Sequence, residues 1–267
     1  MTTFHKTDEP TALRFETAGL RWLAQAADDG GAPVVEILAE GEGWVDLVHL
    51  PSARATSDAA AAFGRGLART HAAGAPSFGC TPPGWSGEVL RSSGAMPLHE
   101  HDTEPVFDRW GTFYAEYQIR PYIPRAVRNG SIDDDGARAL ERVADRLAAE
   151  DFDHDQPELV GQGAARLHGD LWGGNVVWAR TERGTEGVLI DPAAHGGHAE
   201  TDLAALDLFG VDRLPDILAG YQEISALAEG WQERVGLHQL TMLIMHAVIF
   251  GGSYGPATVR VAQRYGG

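Results

Sequence analysis

One hairpin-like segment in the second half of the chain constrains the fold more than any other feature of the sequence. Two short runs rich in β-branched residues, 176–179 and 187–190, are separated by a polar stretch, which predicts two antiparallel strands. Asp170 and Asn175 precede the first run, and Asp191 follows the second. Because antiparallel strands return to the end where they began, we expect two carboxylates and one amide oxygen to lie together.

This set of side chains is typical of phosphoryl transfer. One carboxylate can accept or orient the proton of an attacking hydroxyl, while Asn175 and Asp191 offer hard oxygen ligands to Mg²⁺ that bridges phosphates. The spacing from His168 through Asp170 to Asn175 matches the catalytic loop of kinases, with Gly169 where arginine is usual. On this spacing alone, an Asp and an Asn that cap a loop are the alternative. The histidine, the hairpin and the second Asp together favour a kinase.

A single lysine near the start of the chain fits the same chemistry. Of the 21 basic residues, 20 are Arg and only Lys6 is Lys. Lys6 ends a predicted strand, and the predicted helix that follows carries Glu16, so the two suit a phosphate-binding lysine and its carboxylate partner. The alternatives are a chance surface lysine and a solvated glutamate. The run Val48, His49 and Leu50 is expected to form the hinge whose backbone meets adenine.

The periodicity of apolar residues divides the chain into a small first part and a large second part. A helix over 11–27 and two strands over 34–38 and 44–50 come before Pro51, where the pattern changes to helix. We therefore expect an N-terminal lobe over residues 1–54 and a C-terminal lobe over residues 55–267. In the second part the sequence predicts an irregular segment at 75–102, an acidic linker at 151–155, and helices at 56–74, 104–118, 137–150 and beyond 199.

Composition limits the kinds of partner. The formal net charge of −17 would repel a nucleic-acid backbone or an anionic membrane, whereas a cationic co-substrate would be attracted. No apolar run reaches the roughly 18 residues of a membrane helix, and the first residues lack the pattern of a signal peptide. The single cysteine, Cys80, has no intrachain partner and is expected to be an inert thiol. We therefore expect a cytoplasmic protein with no nucleic-acid or membrane partner.

Several segments resemble the fructosamine kinase (ketosamine kinase) family, in the aminoglycoside-phosphotransferase-like branch of kinases. Segment 167–176 looks like the catalytic loop of that family, and 190–193 with 197–204 resembles its metal segment and the following helix. Segments 63–79 and 246–254 also match, so the resemblance covers nearly the whole chain. It implies an α+β, protein-kinase-like bilobal fold with a small N-terminal β lobe and a large, mainly helical C-terminal lobe.

The resemblance also implies which residues bind the nucleotide and carry the reaction. Asp170 would be the catalytic base, Asn175 and Asp191 would hold Mg²⁺, and Lys6 paired with Glu16 would position the phosphates of ATP. The implied reaction is ATP-dependent phosphorylation of a ketosamine, free or protein-bound, at the hydroxyl on its third carbon. Loss of the phosphorylated sugar would then repair a glycated amine.

Three further residues take roles from the same comparison. Trp172 is a candidate for stacking on the sugar, with a packed core tryptophan as the alternative. Asp202 would be structural, and His168 would brace the loop, since a general base must reach the substrate proton and Asp170 holds that position in the family.

Two segments depart from the family pattern. The family begins with two strands and a Gly-rich loop over the phosphates, and here Met1 stands almost directly before the lysine strand, so the expected N-terminal lobe is truncated and lacks that loop. Either the start of the chain is assigned too late, or ATP is bound through Lys6, the metal and the hinge at a less covered phosphate site. Residues 79–97 also fit poorly, on the expected substrate side.

Other functions stay open at this level. A kinase for another amino-alcohol, such as an aminoglycoside or choline, suits the acidic charge equally well. A non-catalytic, kinase-like nucleotide-binding protein is a second alternative. A metal-dependent hydrolase using Asp170, Asp191 and either His195 or His198 is a third, although it lacks a compact His-rich motif. The sequence does not indicate an oligomeric state.

Overall fold

A small antiparallel sheet and a long helix form the first part of the chain. The computed structural model describes residues 2–91 and 94–267. Strands β1 (Thr3–Thr7), β2 (Ile37–Gly41) and β3 (Trp44–Val48) pair in the order β1-β3-β2, with Lys6 opposite Val45. Helix α1 (Pro10–Ala27) follows β1 directly, as the short polar link between them requires.

Helix α1 forms because its start is capped and one face is apolar. Glu9 accepts a hydrogen bond from the Ala12 N–H at 2.8 Å, which satisfies one of the free N–H groups of the first turn. Leu13 and Leu20 are buried against β3 and against the hairpin described below. This packing fixes the face of the helix that carries Glu16 relative to β1.

The remaining residues form the larger, mainly helical part. Its elements in chain order are α2 (Ser57–Ala72), β4 (Val89–Arg91), β5 (Gly94–Met96), α3 (Trp110–Phe113), α4 (Ile123–Arg128), α5 (Asp134–Ala148), β6 (Ala165–Leu167), β7 (Val176–Thr181), β8 (Gly184–Leu189), β9 (His195–Gly197), α6 (Ala199–Leu208), α7 (Leu214–Gln222), α8 (Trp231–Phe250) and α9 (Tyr254–Gly266). Strands β4–β5, β6–β9 and β7–β8 form three two-stranded antiparallel sheets. A two-part α+β architecture, as predicted, is therefore confirmed.

Two hydrophobic clusters hold the helical part together. One lies among α3, α5, α8 and α9, where Leu140 and Ile244 are fully buried. The other lies between α2 and α7 and extends to Leu189 of the hairpin. Because the hairpin shares a core with the helices on one side and with α1 on the other, its ends are held where the two parts of the chain meet.

Most predicted elements are present, with four corrections. The strand predicted over 34–38 lies at Ile37–Gly41, because Val34 and Val35 instead pair with Leu189. The predicted helix at 104–118 begins only at Trp110, because Arg109 is extended and paired with Glu150 and Asp153, and it continues as a π-helical stretch at Tyr114–Ile119. The segment predicted to be irregular contains β4 and β5, which are too short for periodicity to reveal. The predicted link 180–186 is shorter than expected, since the strands extend to Thr181 and from Gly184.

Two further points concern membrane-spanning helices and the boundary between the lobes. In the ranges 2–91 and 94–267, none of the helices combines the length and apolar composition needed to cross a lipid bilayer. The division between lobes at residues 54 and 55 stays a prediction, and it falls in the extended link between β3 and α2.

Candidate active site

Lys6 joins three distant segments of the chain. Its Nζ lies 2.8 Å from Glu16 Oε2 on α1 and 2.9 Å from Asp191 Oδ1, just after β8. The lysine side chain is 21% exposed and the Asp191 side chain 42% exposed, so the group opens toward solvent. The structure thus brings together three of the residues that the sequence singled out.

The charges of this group support one another. Burial lowers the pKa of Lys6, but the carboxylates of Glu16 and Asp191 raise it more, so its pKa lies above the ordinary value. The pKa of Glu16 is raised, because burial of the carboxyl outweighs the opposing effect of Lys6. Glu16 Oε1 is also buried without a hydrogen-bond partner among the described residues. A lysine held in this way stays cationic and keeps its third N–H for a phosphate.

Asp202 of α6 holds the loop between β6 and β7 in place. Asp202 accepts hydrogen bonds from the backbone N–H groups of His168 and Gly169 at 2.7 and 3.0 Å, and it lies 3.2 Å from His71 Nε2. Although burial raises the pKa of Asp202, the hydrogen bonds and charge of His71 and His168 lower it more, so it stays ionised. The structural role expected for Asp202 therefore has a physical basis.

His168 and Gly169 shape the same loop. His168 is buried, with Nε2 2.8 Å from the Ile190 carbonyl and Nδ1 accepting from the Asp170 N–H at 3.2 Å. Gly169 has φ +79°, and a Cβ there would lie 2.1 Å from the Ala193 carbonyl oxygen. This explains why the arginine usual at this position in kinases is replaced by glycine.

Asp170, Asn175 and Asp191 meet at one end of the hairpin. Asn175 donates through Nδ2 to the Asp170 carbonyl at 2.8 Å and lies 3.5 Å from the Asp191 carbonyl. These contacts use the amide nitrogen and leave Oδ1 of Asn175 as the atom able to bind a cation. Asp191 has φ +52°, an uncommon backbone conformation for a residue other than glycine. The three residues therefore approach one another through the backbone of Asp170 and Asp191, as hairpin geometry predicts.

A cleft of about 300 Å³ lies beside this group. It is lined by Lys6, Asp191 and the predicted hinge residues Val48, His49 and Leu50. The N–H of Val48 already donates to the Glu36 carbonyl, and that of His49 to the Thr2 carbonyl. For the Leu50 N–H, no hydrogen bond is found within the part of the chain that the structure describes. Among the described residues of the predicted hinge, the N–H of Leu50 is therefore the one that can donate to a ligand.

Trp172 lies in the loop between Asp170 and Asn175, on the surface. Trp172 is 40% exposed, so the alternative of a tryptophan packed in the core is wrong. The ring contacts Phe209 edge to face, and Phe209 in turn packs against His246 and Tyr254. We call the group Trp172, Phe209, His246, Phe250 and Tyr254 the aromatic shelf. The sequence placed Trp172 near the site, but nothing in its periodicity indicated the other members.

The two histidines of the hydrolase alternative lie in the interior of the protein. His195 and His198 are both buried, and the Nδ1 atom of His195 contacts the Ala193 carbonyl. Among the described residues, the one group of metal-ligating side chains that come together contains His198 but neither Asp170 nor Asp191. Within the described residues, neither aspartate belongs to a group of three or more metal-ligating side chains, as a metal-dependent hydrolase would need.

Comparison with known proteins places this site in a family. The family model described as fructosamine kinase matches residues 2–265. A protein named probable ketoamine kinase from Klebsiella aerogenes is 37% identical over 147 residues, which are 55% of this chain and 46% of that protein. Another of the same description from Synechocystis is 31% identical over 223 residues, 83% of this chain and 67% of that protein. The chain thus spans about half of the first relative's length and two thirds of the second's.

Solved structures agree on the fold. A crystal structure named as a fructosamine-3-kinase from Thermobifida fusca superposes with a TM-score of 0.80 at 36% identity and covers 99% of this chain and 85% of that one. An ADP-bound aminoglycoside phosphotransferase superposes with a TM-score of 0.57 at 11% identity over 98% of this chain and 88% of that one, a likeness of fold alone. The protein-kinase-like fold expected from the sequence is confirmed, and the chain belongs to the fructosamine kinase family.

Proposed function

We propose that the protein transfers the γ-phosphoryl group of ATP to a sugar hydroxyl of a ketosamine, of the fructosamine or ribulosamine type. The observation that carries this proposal is the contact of Lys6 with both Glu16 and Asp191, next to the loop of Asp170. It joins a phosphate-binding cation to the carboxylates that phosphoryl transfer needs. The proposal places the reaction in the cytoplasm, where ATP is supplied.

The nucleotide is proposed to lie in the cleft with adenine at the hinge and its phosphates at Lys6. Adenine presents a donor amine next to an acceptor ring nitrogen, so the Leu50 N–H and a neighbouring carbonyl of the hinge suit its edge. The phosphates would then extend toward Lys6, which lines the same cleft. Glu16 would keep the ammonium of Lys6 in place after Asp191 has turned to the metal.

Mg²⁺ fits the oxygen atoms at the end of the hairpin. Asn175 Oδ1 and the Asp191 carboxylate are hard donors of the kind that this ion prefers, and the exposure of Asp191 leaves room for water and phosphate ligands. When bound, the ion would supply neutralising charge for the phosphate oxygens.

Asp170 is proposed as the group that accepts the proton. The acceptor hydroxyl oxygen forms a bond to the γ-phosphorus while the bond from that phosphorus to the β–γ bridging oxygen breaks, and ADP leaves with that oxygen. The hydroxyl proton passes to the Asp170 carboxylate. Asp202 and His168 hold the backbone of Asp170 and its neighbours in the required position.

The acceptor is proposed to bind on the aromatic shelf. Trp172 offers a ring face to the sugar, and the other rings offer a surface to the amine substituent. The net charge of −17 favours an acceptor that carries a positive amine. Both features suit a free or a protein-bound ketosamine.

Release of ADP from Mg·ATP tests the proposal. We expect release that depends on a fructose-amine or ribulose-amine acceptor and exceeds release with an aminoglycoside or choline. In Asp170→Asn, turnover is expected to fall by about 10²–10⁴-fold, since the proton acceptor is lost. Asp145→Asn, an exposed aspartate on α5, is the matched control and should keep full activity.

Each outcome has a distinct meaning. Release with an aminoglycoside or choline alone would keep the mechanism and replace the acceptor. Nucleotide binding without transfer to any acceptor would favour a non-catalytic binding protein. Full turnover in Asp170→Asn would exclude the assigned base.

A further inference from the structure

Three histidines and one glutamate that the kinase mechanism does not use meet inside the helical part. We call His154, His198, Glu200 and His238 the histidine cluster. His154 comes from the acidic linker after α5, His198 and Glu200 from the start of α6, and His238 from α8. Their ligand atoms all lie within 4.8 Å of one another, and His198 and His238 are each 1% exposed. Segments about 40 residues apart in sequence thus converge at one buried point.

Three of these ligand atoms have the spacing of a metal's coordination shell. The Nε2 atoms of His154 and His238 are 3.1 Å apart, and each lies 3.4 Å from Glu200 Oε2. Ligands about 2.0–2.1 Å from a tetrahedral zinc ion are roughly 3.3–3.4 Å from one another. A cation at the centre of this triangle would therefore need only small shifts of the side chains.

The outer atoms of the three residues are already bound in the way that metal ligands usually are. His154 Nδ1 lies 2.7 Å from the Phe152 carbonyl, which makes that nitrogen the donor and leaves the lone pair on Nε2. His238 Nδ1 lies 2.9 Å from Thr201 Oγ1 and can donate to it in the same manner. Arg234 holds both oxygens of Glu200, at 2.8 and 3.1 Å. Such outer contacts fix the tautomer and direction of ligands.

The surroundings suit a structural ion rather than a reaction centre. The Trp110 ring packs against His154, His198 and His238, with a centroid distance of 4.4 Å to His238. Its indole Nε1 is buried without a hydrogen-bond partner among the described residues, so a polar donor is left over beside the cluster. A water molecule or hydroxide that completes a metal's coordination could accept that hydrogen bond.

We propose that the histidine cluster is a structural site for a divalent transition metal of the zinc class, bound by His154 Nε2, His238 Nε2 and Glu200 Oε2. Nitrogen donors with one carboxylate favour zinc-like ions over Mg²⁺ or Ca²⁺. The ion ties the acidic linker and α8 to the start of α6. Since α6 also carries Asp202, the site supports the helix that holds the catalytic loop. The site is separate from the proposed magnesium ligands, and the proposal does not depend on the kinase activity.

Zinc content and thermal unfolding of the whole chain test the proposal. The protein is stripped with a chelator, incubated with ZnCl₂ and desalted, after which we expect about one zinc per chain. Zinc at about 100 times its Kd should raise Tm by about 5–10 °C. X-ray absorption should show nitrogen and oxygen neighbours at about 2.0–2.1 Å and the outer scattering of imidazole. Zinc below about 0.1 per chain, with no rise in Tm, would overturn the proposal.

Variants locate the ion. His154→Gln and His238→Gln should each lose the bound zinc and the rise in Tm, whereas His101→Gln, a histidine outside the cluster, should keep both. If the two cluster variants retain zinc, the ion is bound elsewhere and the proposal is wrong. If either variant fails to fold, the absorption spectrum of the unaltered protein still decides, because a first shell without imidazole excludes the site.

Discussion

The open group around Lys6 and the buried histidine cluster use similar residue types in opposite environments. The Asp191 side chain is 42% exposed and shares the Lys6 ammonium with Glu16. In the histidine cluster the Glu200 side chain is 5% exposed and is held by Arg234 and two imidazoles. Water can rearrange around the first group but not around the second.

This difference in exposure determines whether a substitution affects turnover or the free energy of unfolding. A carboxylate near solvent can exchange partners at low cost, as a site that binds and releases a nucleotide must. A buried carboxylate must keep its partners, because its desolvation is compensated only by them. We therefore expect substitutions at the Lys6 group to lower turnover, and substitutions in the histidine cluster to lower the free energy of unfolding.

The largest expected effect is that of Glu200→Gln. The buried carboxylate would be lost and Arg234 would be left partly buried without its anionic partner, so the free energy of unfolding should fall by about 3–5 kcal/mol, as measured in urea. The matched control is Glu223→Gln, whose pair with Arg65 is exposed and should cost no more than about 1 kcal/mol. Equal losses in both variants would show that burial does not distinguish the two regions.

Asp191→Asn should lower turnover and leave stability nearly unchanged, the opposite of Glu200→Gln. Loss of the carboxylate removes a partner of Lys6 and a proposed ligand of Mg²⁺, so kcat should fall by about 10²–10³-fold. Because the side chain is 42% exposed, thermal unfolding should change little. Steady-state kinetics and calorimetry on the same preparation check both statements. A variant that loses stability but keeps its turnover would reverse the comparison.

Acid should destabilise the protein through the buried histidine cluster. Burial lowers the pKa of His238 to about 4, whereas an unfolded histidine titrates near 6.5, so the unfolded state takes up more protons between these values. Stability is therefore fully present above about pH 6.5 and falls by about 3 kcal/mol as the pH drops toward 4. Burial raises the pKa of Glu200, but His154, His238 and Arg234 lower it more, which adds a loss in the same direction below about pH 4.5.

Urea unfolding of the chelator-treated protein between pH 7.5 and 4.5 measures this dependence. His238→Gln should reduce this slope, since one of the titrating imidazoles is gone. Burial also lowers the pKa of His198, which should keep the remaining dependence. A slope that is unchanged in this variant would assign the acid sensitivity to other groups.

Trp172→Ala is expected to have the smallest effect. Loss of a stacking face that is worth about 0.5–1.5 kcal/mol should raise KM for the ketosamine by about 3–10-fold. KM for ATP and the Tm should stay unchanged, because the ring is on the surface and away from the nucleotide cleft. Val106→Ala, another exposed apolar side chain, is the control. An equal rise in KM for both substrates would remove Trp172 from the acceptor side.

The parts that sequence reasoning predicted were carried by local patterns. The hairpin of β7 and β8, the helix α2 and the approach of Asp170, Asn175 and Asp191 all follow from spacing over short distances. Lys6 was found because it is the single lysine of the chain. The start of the helix at Trp110 was missed, since the ion pairs of Arg109 with Glu150 and Asp153 decide it from a distance.

The two-lobed α+β fold, the loop around Asp170 and the pairing of Lys6 with Glu16 could be predicted from the sequence, because capping, strand alternation and loop spacing act between near neighbours. The aromatic shelf around Trp172 and the convergence of His154, His198 and His238 are seen in the folded structure alone. Their side chains meet through the packing of α6 and α8 and the linker before β6. No periodicity along the chain encodes such a contact, since it depends on how whole elements share one core.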